Sequence, residues 1–271
     1  MPVGRRGQQT TVEGFLPQRW LPSLAGRDLR PTTADSYARI TRNHLVPRLG
    51  GIKLAALDAA TIETMLGELA DAGLSAKTRR NVLGVLSKAL ADAVRWKLVS
   101  SNAAHESEWP SRPQATVRAW TPEQLSAFLK HIAGTHDEAL WRYFVISGAR
   151  RVEVVGLRWG DVNLDAGLAV VANQRTLAAG HVVEGPPKTR SGARTITLDR
   201  ETVAVLRRWR RAQRAEMVRL GVRPEVEYVF TGPAGLPQWP QRVTSDSVIF
   251  ATRPDCRASG PTVCVTWRPR G

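Results

Sequence analysis

Cysteine and histidine are scarce in this sequence, and their scarcity limits the kinds of site it can build. The 271 residues contain 2 cysteines and 5 histidines, and both cysteines, Cys256 and Cys264, lie in the last eighteen or so residues. Two thiols at this spacing provide neither a four-ligand metal set nor a disulfide framework. The composition therefore predicts no metal site, and nothing in it indicates a small-molecule cofactor.

Long hydrophobic runs are also missing. Apolar residues make up 42% of the chain, but Arg and Asp interrupt each apolar segment well before the roughly 20 residues that cross a bilayer. The N-terminal stretch MPVGRRGQQTTVEGF has a basic pair without the apolar core of a signal peptide. We expect no membrane partner and a cytoplasmic location in a bacterium, in association with the nucleoid.

Positive charge is what the sequence has in excess. It contains 39 Lys and Arg against 24 Asp and Glu, which gives a net charge of +15. Such a surplus favours a polyanionic partner, because Lys and Arg neutralise phosphates and release counterions. Arginine predominates, and its planar fork matches phosphate oxygens. Nucleic acid is the favoured partner; the alternatives are an anionic membrane surface and a G+C-rich genome that raises Arg usage everywhere.

Residues 1–105 have the patterns of a helical domain. Over residues 32–50, Thr caps and a one-sided apolar face predict a helix that stops at Pro47 and Gly50. Asp58 is the predicted cap of the next helix. The apolar stripe of that helix, at i, i+3, i+4, i+7 spacing, consists of Ile62, Met65, Leu66 and Leu69.

The longest predicted helix follows Ser75 as its cap and has a basic face opposite its apolar face. A single acid, Asp92, interrupts the basic face. The face consists of Lys77, Arg79, Arg80, Lys88, Arg95 and Lys97. It is a candidate DNA-tracking surface, although Lys and Arg also occupy the ordinary solvated face of a helix. The candidate DNA-binding residues here are Lys77, Arg79, Arg80 and Lys88.

The second half of the chain begins after a predicted linker over residues 106–118. This linker lies in the stretch from Ser100 to Arg118, where Ser, Asn and Pro accumulate and periodicity disappears. Residues 119–243 then show a helix after the cap Thr121, two helices that meet at Ser147-Gly148, several short β-strands and a further helix. Residues 244–271 have no recognisable period and form a predicted irregular tail. The predicted class is mainly α with a small β-sheet and hairpin, that is, α+β.

Three segments carry a resemblance to a known family. The stretch SGARRVEVVGLRWGDVNLDAG resembles the first active-site box of tyrosine recombinases of the phage-integrase type, G-x-R-x-x-E followed by L-x-W-x-D. The stretch GPPKTRSGARTITLD resembles the lysine-bearing β turn of that family, and the N-terminal helices are similar to its core-binding, SAM-like domain. The resemblance covers about residues 10–243. It implies a helical core-binding domain followed by an incomplete integrase-type catalytic domain.

The resemblance implies double-stranded DNA at an attachment-type site as the partner. In such enzymes a tyrosine hydroxyl attacks a phosphodiester and forms a 3′-phosphotyrosyl bond. Two arginines stabilise the charge on the non-bridging oxygens, and a lysine or histidine protonates the departing 5′-oxygen. The phosphotyrosyl bond conserves the energy, so the resemblance implies no cofactor.

Five residues receive roles from the resemblance. Arg150 matches the first phosphate-clamping arginine, and Glu153 matches the acid that supports it from the same helix. Lys188 matches the turn lysine that serves as general acid, and Arg190 and Arg194 flank it as expected phosphate contacts.

The sequence departs from the family pattern at two places. Val152 stands where the family usually has Gly or Ser, which puts the fine geometry of Arg150 in doubt. After residue 243 the second box, H-x-x-R, and the tyrosine nucleophile do not follow; the last histidine is His181 and the last tyrosine is Tyr228. We therefore expect these residues to be catalytically inactive. We also expect no tetrameric synapsis, because intact family members assemble by exchanging a C-terminal segment.

Two non-enzymatic interpretations compete with this one. A basic transcriptional regulator has no need of the lysine-bearing turn after the Arg150 box. A nucleoid-type protein would bind DNA through charge alone, without sequence preference and with steep salt dependence.

The codons of the tail provide a testable explanation for the missing box. With mostly G or C at third positions, residues 244–271 read one nucleotide earlier can spell HQRFRDLRDAAGLPGIRPHGLRHMAAT, which contains the second-box pattern H-G-L-R-H. We therefore expect a frameshift near Val243 in the gene. Sequencing the gene tests this: the adjacent frame should encode HGLRH, and a gene without it in that frame excludes the hypothesis.

Overall fold

A computed structural model describes most of the chain. The described residues are 9–112, 120–187, 192–221, 227–232 and 235–243. The chain divides into two compact units, residues 1–115 and 116–271. The first is helical in its described part, and the second combines helices with two small antiparallel sheets, so the predicted α+β class is confirmed. Among the described residues, no helix has both the length and the apolarity to cross a membrane.

The described part of the first unit contains five helices and one 3₁₀ turn, Leu54–Ala56. The first two, α1 over residues 12–23 and α2 over residues 31–49, each contain a π-helical stretch. Their parts are Val12–Phe15, Leu16–Trp20 and Leu21–Ser23 for α1, and Pro31–Ile40, Thr41–Leu45 and Val46–Leu49 for α2. The remaining helices are α3 (Ala59–Asp71), α4 (Ala76–Arg95) and α5 (Ala103–Glu106).

Helix α2 passes through Pro47, the first of the two predicted stops, and ends just before the second, Gly50. The backbone N–H of Val46 donates to the carbonyl of Thr41, five residues back, so a wider π-helical turn precedes the proline. A proline ring in a regular α-helix clashes with the carbonyl four residues earlier, and the wider turn relieves that clash. The helix therefore ends at Leu49. It begins at Pro31, so the predicted threonine caps lie inside its first turn.

The caps of α3 and α4 are those predicted. The Asp58 carboxylate accepts the N–H of Thr61 at 2.8 Å, and the Ser75 hydroxyl accepts the N–H of Thr78 at 3.2 Å. The predicted stripe of α3 is buried in the core of this unit. Its members are Ile62, Met65, Leu66 and Leu69.

Asp92 lies in the interior of the first unit, whereas the sequence placed it on the basic face of α4. Its carboxylate accepts the indole N–H of Trp20 at 2.8 Å and pairs with Arg27 at 2.7 Å and with Arg95 at 2.8 Å. Burial raises the pKa of Asp92, but the hydrogen bonds from Arg27 and Trp20 and the charge of Arg95 lower it below its ordinary value overall. This carboxylate therefore joins α4 to α1 and to the segment that follows α1.

Replacing this carboxylate should destabilise the chain. D92A leaves the buried indole N–H and the Arg27 guanidinium without their acceptor, which costs about 1–3 kcal/mol of unfolding free energy. The wild-type stabilisation is present above the unfolded pKa near 3.8 and is lost as the pH falls through the lower folded value, so the two proteins should converge in acid. Urea unfolding at several pH values measures this. D71A, at an exposed position of α3, is the control, with a change within about 0.5 kcal/mol; equal effects of both variants would contradict the assignment.

The described part of the second unit contains four α-helices, one 3₁₀ turn (Trp159–Asp161) and five strands. The helices are α6 (Pro122–Ile132), α7 (Glu138–Ser147), α8 (Arg151–Val154) and α9 (Arg200–Arg219). The strands are β1 (Val162–Asn163), β2 (Leu168–Val170), β3 (Gln174–Ala178), β4 (His181–Gly185) and β5 (Thr195–Thr197). The sheets have the orders β1-β2-β5 and β3-β4, and all pairs are antiparallel. Aromatic side chains of α6 and α7 and aliphatic side chains of α9 form the core with the inner face of the first sheet.

The strand pairing differs from the hairpin predicted over residues 185–199. Strand β4 pairs with β3, and β5 pairs with β2, so the two strands that flank the Lys188 segment belong to different sheets. The reason is local: β3 and β4 are joined by a two-residue turn, Ala179-Gly180, in which both residues have positive φ and which closes a hairpin of its own. The segment after β4 then connects one sheet to the other.

Candidate active site

The site is built around the turn between α7 and α8. Helix α7 ends at Ser147, as predicted, and Gly148 adopts a left-handed conformation with φ of 58°. Glycine takes this conformation without steric cost, which is why it terminates helices so often. The Ala149 N–H then donates to the Ser147 hydroxyl at 3.2 Å. The turn places Arg150 directly before the first residue of α8.

Glu153 holds this turn to a second part of the chain. One oxygen of its carboxylate, Oε1, accepts the guanidinium Nη1 of Arg150 at 2.7 Å. The other, Oε2, accepts the backbone N–H of Arg150 and the Nη2 of Arg194, each at 2.9 Å. One carboxylate therefore positions two arginines that are 44 residues apart in sequence. We call Arg150, Glu153 and Arg194 the Glu153 cluster.

The Glu153 carboxylate remains charged because its partners outweigh its burial. Its side chain is 1% exposed. Burial raises the pKa of Glu153, but the hydrogen bonds from Arg194 and Arg150 and the charge of Arg194 lower it below the ordinary value overall. A buried carboxylate is retained at this cost only with charged partners. The cluster therefore has two cations around one anion, and its net positive charge suits a phosphate.

The two arginines of the cluster differ in their exposure to solvent. The side chain of Arg150 is 67% exposed, so its guanidinium is anchored to Glu153 and still accessible. The side chain of Arg194 is 32% exposed, and its Nη1 also donates to the carbonyl of Gly192 at 3.2 Å. Sequence reasoning assigned Arg194 to DNA phosphates only and missed its bond to Glu153. No local sequence pattern indicates this bond, since the two residues are far apart in the chain. The pairing of β2 with β5 brings Arg194 close to Glu153, and the Val171 N–H donates to the Arg194 carbonyl at 2.8 Å.

Gly156 is a second residue that sequence reasoning missed. A Cβ at this position would lie 2.8 Å from Gln174 Cα and 3.0 Å from the carbonyl oxygen of Asn173. Only a residue without a side chain allows the turn after α8 to approach the start of β3 so closely. Val152, where the sequence departs from the family pattern, is half-buried in α8.

The three tyrosines of the chain are all packed in the fold. Tyr143 is 1% exposed, and burial raises its pKa well above the ordinary value. Tyr37 belongs to the first unit and stacks on Trp20, with ring centroids 5.7 Å apart. Tyr228 is 8% exposed, and its hydroxyl lies 2.6 and 2.7 Å from the two carboxylate oxygens of Glu184. Burial raises the pKa of Tyr228, and so does its hydrogen bond to Glu184.

The basic face of α4 has a more mixed surface than its sequence indicated. Lys77 and Lys88 are exposed. Arg80 donates to the carbonyl of Pro110 at 2.5 Å and lies over the Trp109 ring at 5.1 Å. The Nε atom of Arg79 is buried and has no hydrogen-bond partner among the described residues. Arg79 and Arg80 are half-buried, because the chain after α5 folds back onto this end of the helix. Their assignment as DNA-binding residues stays a prediction.

Two of the predicted site residues, Lys188 and Arg190, lie outside the described residues, as does the tail over residues 244–271. Within the described residues, no three His, Cys, Asp or Glu side chains form a group that could hold a metal ion.

Comparison with known proteins agrees with this architecture. Residues 14–70 match the family model described as "Phage integrase, N-terminal SAM-like domain". The ICEBs1 integrase of Bacillus subtilis is 26% identical over 208 residues, which are 75% of this chain and 56% of that protein. An integrase of Streptomyces ambofaciens is 30% identical over 196 residues, which are 69% of this chain and 49% of that protein. The chain is a relative of the phage-integrase-type tyrosine recombinases.

The structural comparison shows the same fold. The Tn1549 transposon integrase (residues 82–397), solved in complex with circular intermediate DNA, superposes with a TM-score of 0.72 at 17% identity, over 95% of this chain and 82% of that one. The chain spans about half the length of the two curated integrases named above.

Removing the Glu153 carboxylate should destabilise the second unit. E153A leaves two guanidiniums close together without their shared anion. Because both are partly exposed, water replaces some of the lost interaction, and we expect a loss of about 1–3 kcal/mol. Thermal and urea unfolding measure it.

The matched control for this variant is E216A, which removes an exposed acid that pairs with Arg219 at 3.5 Å. It should change stability by less than about 0.5 kcal/mol. The folded pKa of Glu153 lies below its ordinary value of 4.5, so the effect of E153A should be largest above that pH and shrink as the pH falls through the folded pKa. An E153A protein as stable as E216A would contradict the role given to this carboxylate.

Proposed function

We propose that this chain binds double-stranded DNA at an attachment-type site, as the DNA-recognition and phosphate-clamping part of a tyrosine-type site-specific recombinase. The Glu153 cluster is the observation that carries the proposal. A guanidinium that is fixed by a buried carboxylate and still open to solvent is preorganised for an anionic oxygen. A DNA partner in turn implies a cytoplasmic protein that associates with the nucleoid.

The proposed division of labour follows the two units. Residues 1–105 act as the core-binding domain, in which the exposed Lys77 and Lys88 contact the DNA backbone. Residues 119–243 act as a partial catalytic domain, in which Arg150 contacts the reacting phosphate while Lys188 and Arg190 approach the backbone beside it. Glu153 is a positioning residue in this arrangement, and Arg194 shares its carboxylate.

We further propose that these 271 residues bind DNA without transferring strands. Covalent catalysis of this type requires a tyrosine hydroxyl that reaches the phosphorus atom. The positions of the three tyrosines support the proposal: Tyr143 and Tyr228 are buried, the Tyr228 hydroxyl is held by Glu184, and Tyr37 belongs to the first unit. The raised pKa values of Tyr143 and Tyr228 make both phenols poorer nucleophiles at neutral pH.

DNA binding with a sequence preference is the expected outcome. Candidate attachment-site duplexes, taken from the ends of the element that carries the gene, compete against random duplex of equal length over a salt titration. We expect the affinity for the attachment site to exceed that for random DNA at every salt concentration. R150A should reduce the magnitude of the negative slope of log K against log salt by about 0.9, the value for one phosphate contact.

K130A is the charge-matched control for R150A, because Lys130 is an exposed cation in the last turn of α6 and is not a member of the Glu153 cluster. Equal binding of specific and random duplex would favour the nucleoid-type interpretation instead. A nicked suicide substrate completes the design: no covalent protein–DNA adduct should form, and a trapped adduct would refute the proposed inactivity of these residues.

A further inference from the structure

A groove in the second unit lies beside the sheet β1-β2-β5. Its volume is about 890 Å³. The segment Gly160–Asp165, which includes β1 and the two acids Asp161 and Asp165, lines it together with β2, β5 and helix α9. Ala169 and Ile196 point from the sheet into the core. Because successive side chains of a strand point to opposite faces, Leu168, Val170 and Thr195 form the outer face, and these three residues line the groove.

Four arginines of α9 form the wall opposite this sheet face. They are spaced at i, i+3, i+4 and i+7, which places them on one side of the helix. They are Arg207, Arg210, Arg211 and Arg214. At 1.5 Å per residue the row extends about 10 Å along the helix axis.

Only two members of the row have partners that account for them. Arg207 pairs with Asp165 at 2.7 Å, and Arg210 lies over the Trp159 ring at 4.8 Å. Arg211 and Arg214 are exposed, and within the described residues neither makes a hydrogen bond or an ion pair. Like charges three and four residues apart on a helix repel one another. The row therefore lowers the stability of the free chain, and an anionic ligand would offset that loss.

The groove is separate from the Glu153 cluster. Arg194 belongs to that cluster, and its neighbour Thr195 lines the groove. Their side chains point to opposite sides of the chain where it pairs with β2. A ligand in the groove would consequently contact one face of the sheet, whereas a phosphate at Arg150 would lie on the side of the opposite face.

We infer that this groove is a second DNA-backbone contact surface, with Arg211 and Arg214 as its phosphate-binding residues; the inference rests on the proposed function. Arg211 and Arg214 lie three residues apart on one side of α9, so each can meet a phosphate of the same duplex backbone. Guanidinium forks suit phosphate oxygens. The net charge of +15 favours DNA over an acidic protein segment as the ligand. The apolar side chains of Leu168 and Val170 offer contact area to the sugars.

The test compares R211A/R214A with R200A/R219A in the full chain. Both pairs remove two charges from α9, but Arg200 and Arg219 do not line the groove. The salt slope of log K for duplex DNA should fall by about 1.8 in R211A/R214A, which is about 0.9 for each of two phosphates, and should fall by less than half of that in the control. A hydroxyl-radical footprint should also lose protected nucleotides in R211A/R214A only. Circular dichroism and thermal unfolding establish that both variants fold.

The outcomes separate this inference from the proposed function. If the wild-type chain does not bind duplex DNA, the proposed function fails. If it binds and both variants change the slope equally, the arginines act only through net charge and the groove inference is overturned. The groove inference is also overturned if R211A/R214A keeps the wild-type slope and footprint. If that variant in addition loses affinity for polyglutamate, the groove is assigned to an acidic protein segment.

Discussion

The buried carboxylate of Glu153 is the constraint on which the proposed site depends. It accepts hydrogen bonds from the backbone and the guanidinium of Arg150 and from the guanidinium of Arg194. A charge at this depth is costly unless it is compensated, so the carboxylate and its two arginines must be positioned together. Two of these bonds close the turn after α7, and the third, from Arg194, connects that turn to the residue that precedes strand β5. The position of the turn and the net charge of the site therefore both depend on the Glu153 side chain.

A second carboxylate has a comparable role in the β3-β4 hairpin. Glu184 pairs with Arg158 at 2.9 Å and with Arg175 at 2.8 Å, and it accepts the Tyr228 hydroxyl. Both guanidiniums also lie over the Tyr228 ring, at 5.5 and 4.8 Å from its centroid. This network explains the position of the last tyrosine of the sequence. Its phenol is part of the structure that holds the hairpin, which agrees with the proposal that it is not a nucleophile.

The arginines of this chain therefore fall into two groups that composition cannot separate. Some, such as Arg142, which bonds to Asp199, Glu201 and Thr202, are buried and hold elements of the fold together. Others, such as Arg211 and Arg214, are exposed, and no described residue pairs with them. A net charge of +15 counts both groups equally. The exposed arginines, to which Arg150 also belongs, are the ones available to a phosphate, so the number of proposed DNA contacts is smaller than the charge by itself suggests.

Local patterns were sufficient to predict much of the fold and part of the site. The caps Asp58 and Ser75, the buried stripe of α3 and the end of α7 at Ser147 follow from interactions within four residues in sequence, and all were found. The resemblance of the Arg150 box to its family was likewise readable from adjacent letters. Features that depend on distant residues were missed. The continuation of α2 through Pro47 was missed for a local reason, because a widened turn offsets the usual effect of proline.

The sequence by itself determined the helical class of the first unit, the α+β class of the second and the identity of Arg150 and Glu153 as candidates, because periodicity, capping and a contiguous motif are local properties. Only the tertiary structure decided that Asp92 is an interior acceptor and that Arg194 shares the Glu153 carboxylate. It also decided that Gly156 allows the turn after α8 to approach β3 closely. Each of these depends on a contact between segments far apart in the chain. Burial then sets the cost of leaving a charge or a backbone group without its partner, and one sequence pattern is compatible with many such contacts.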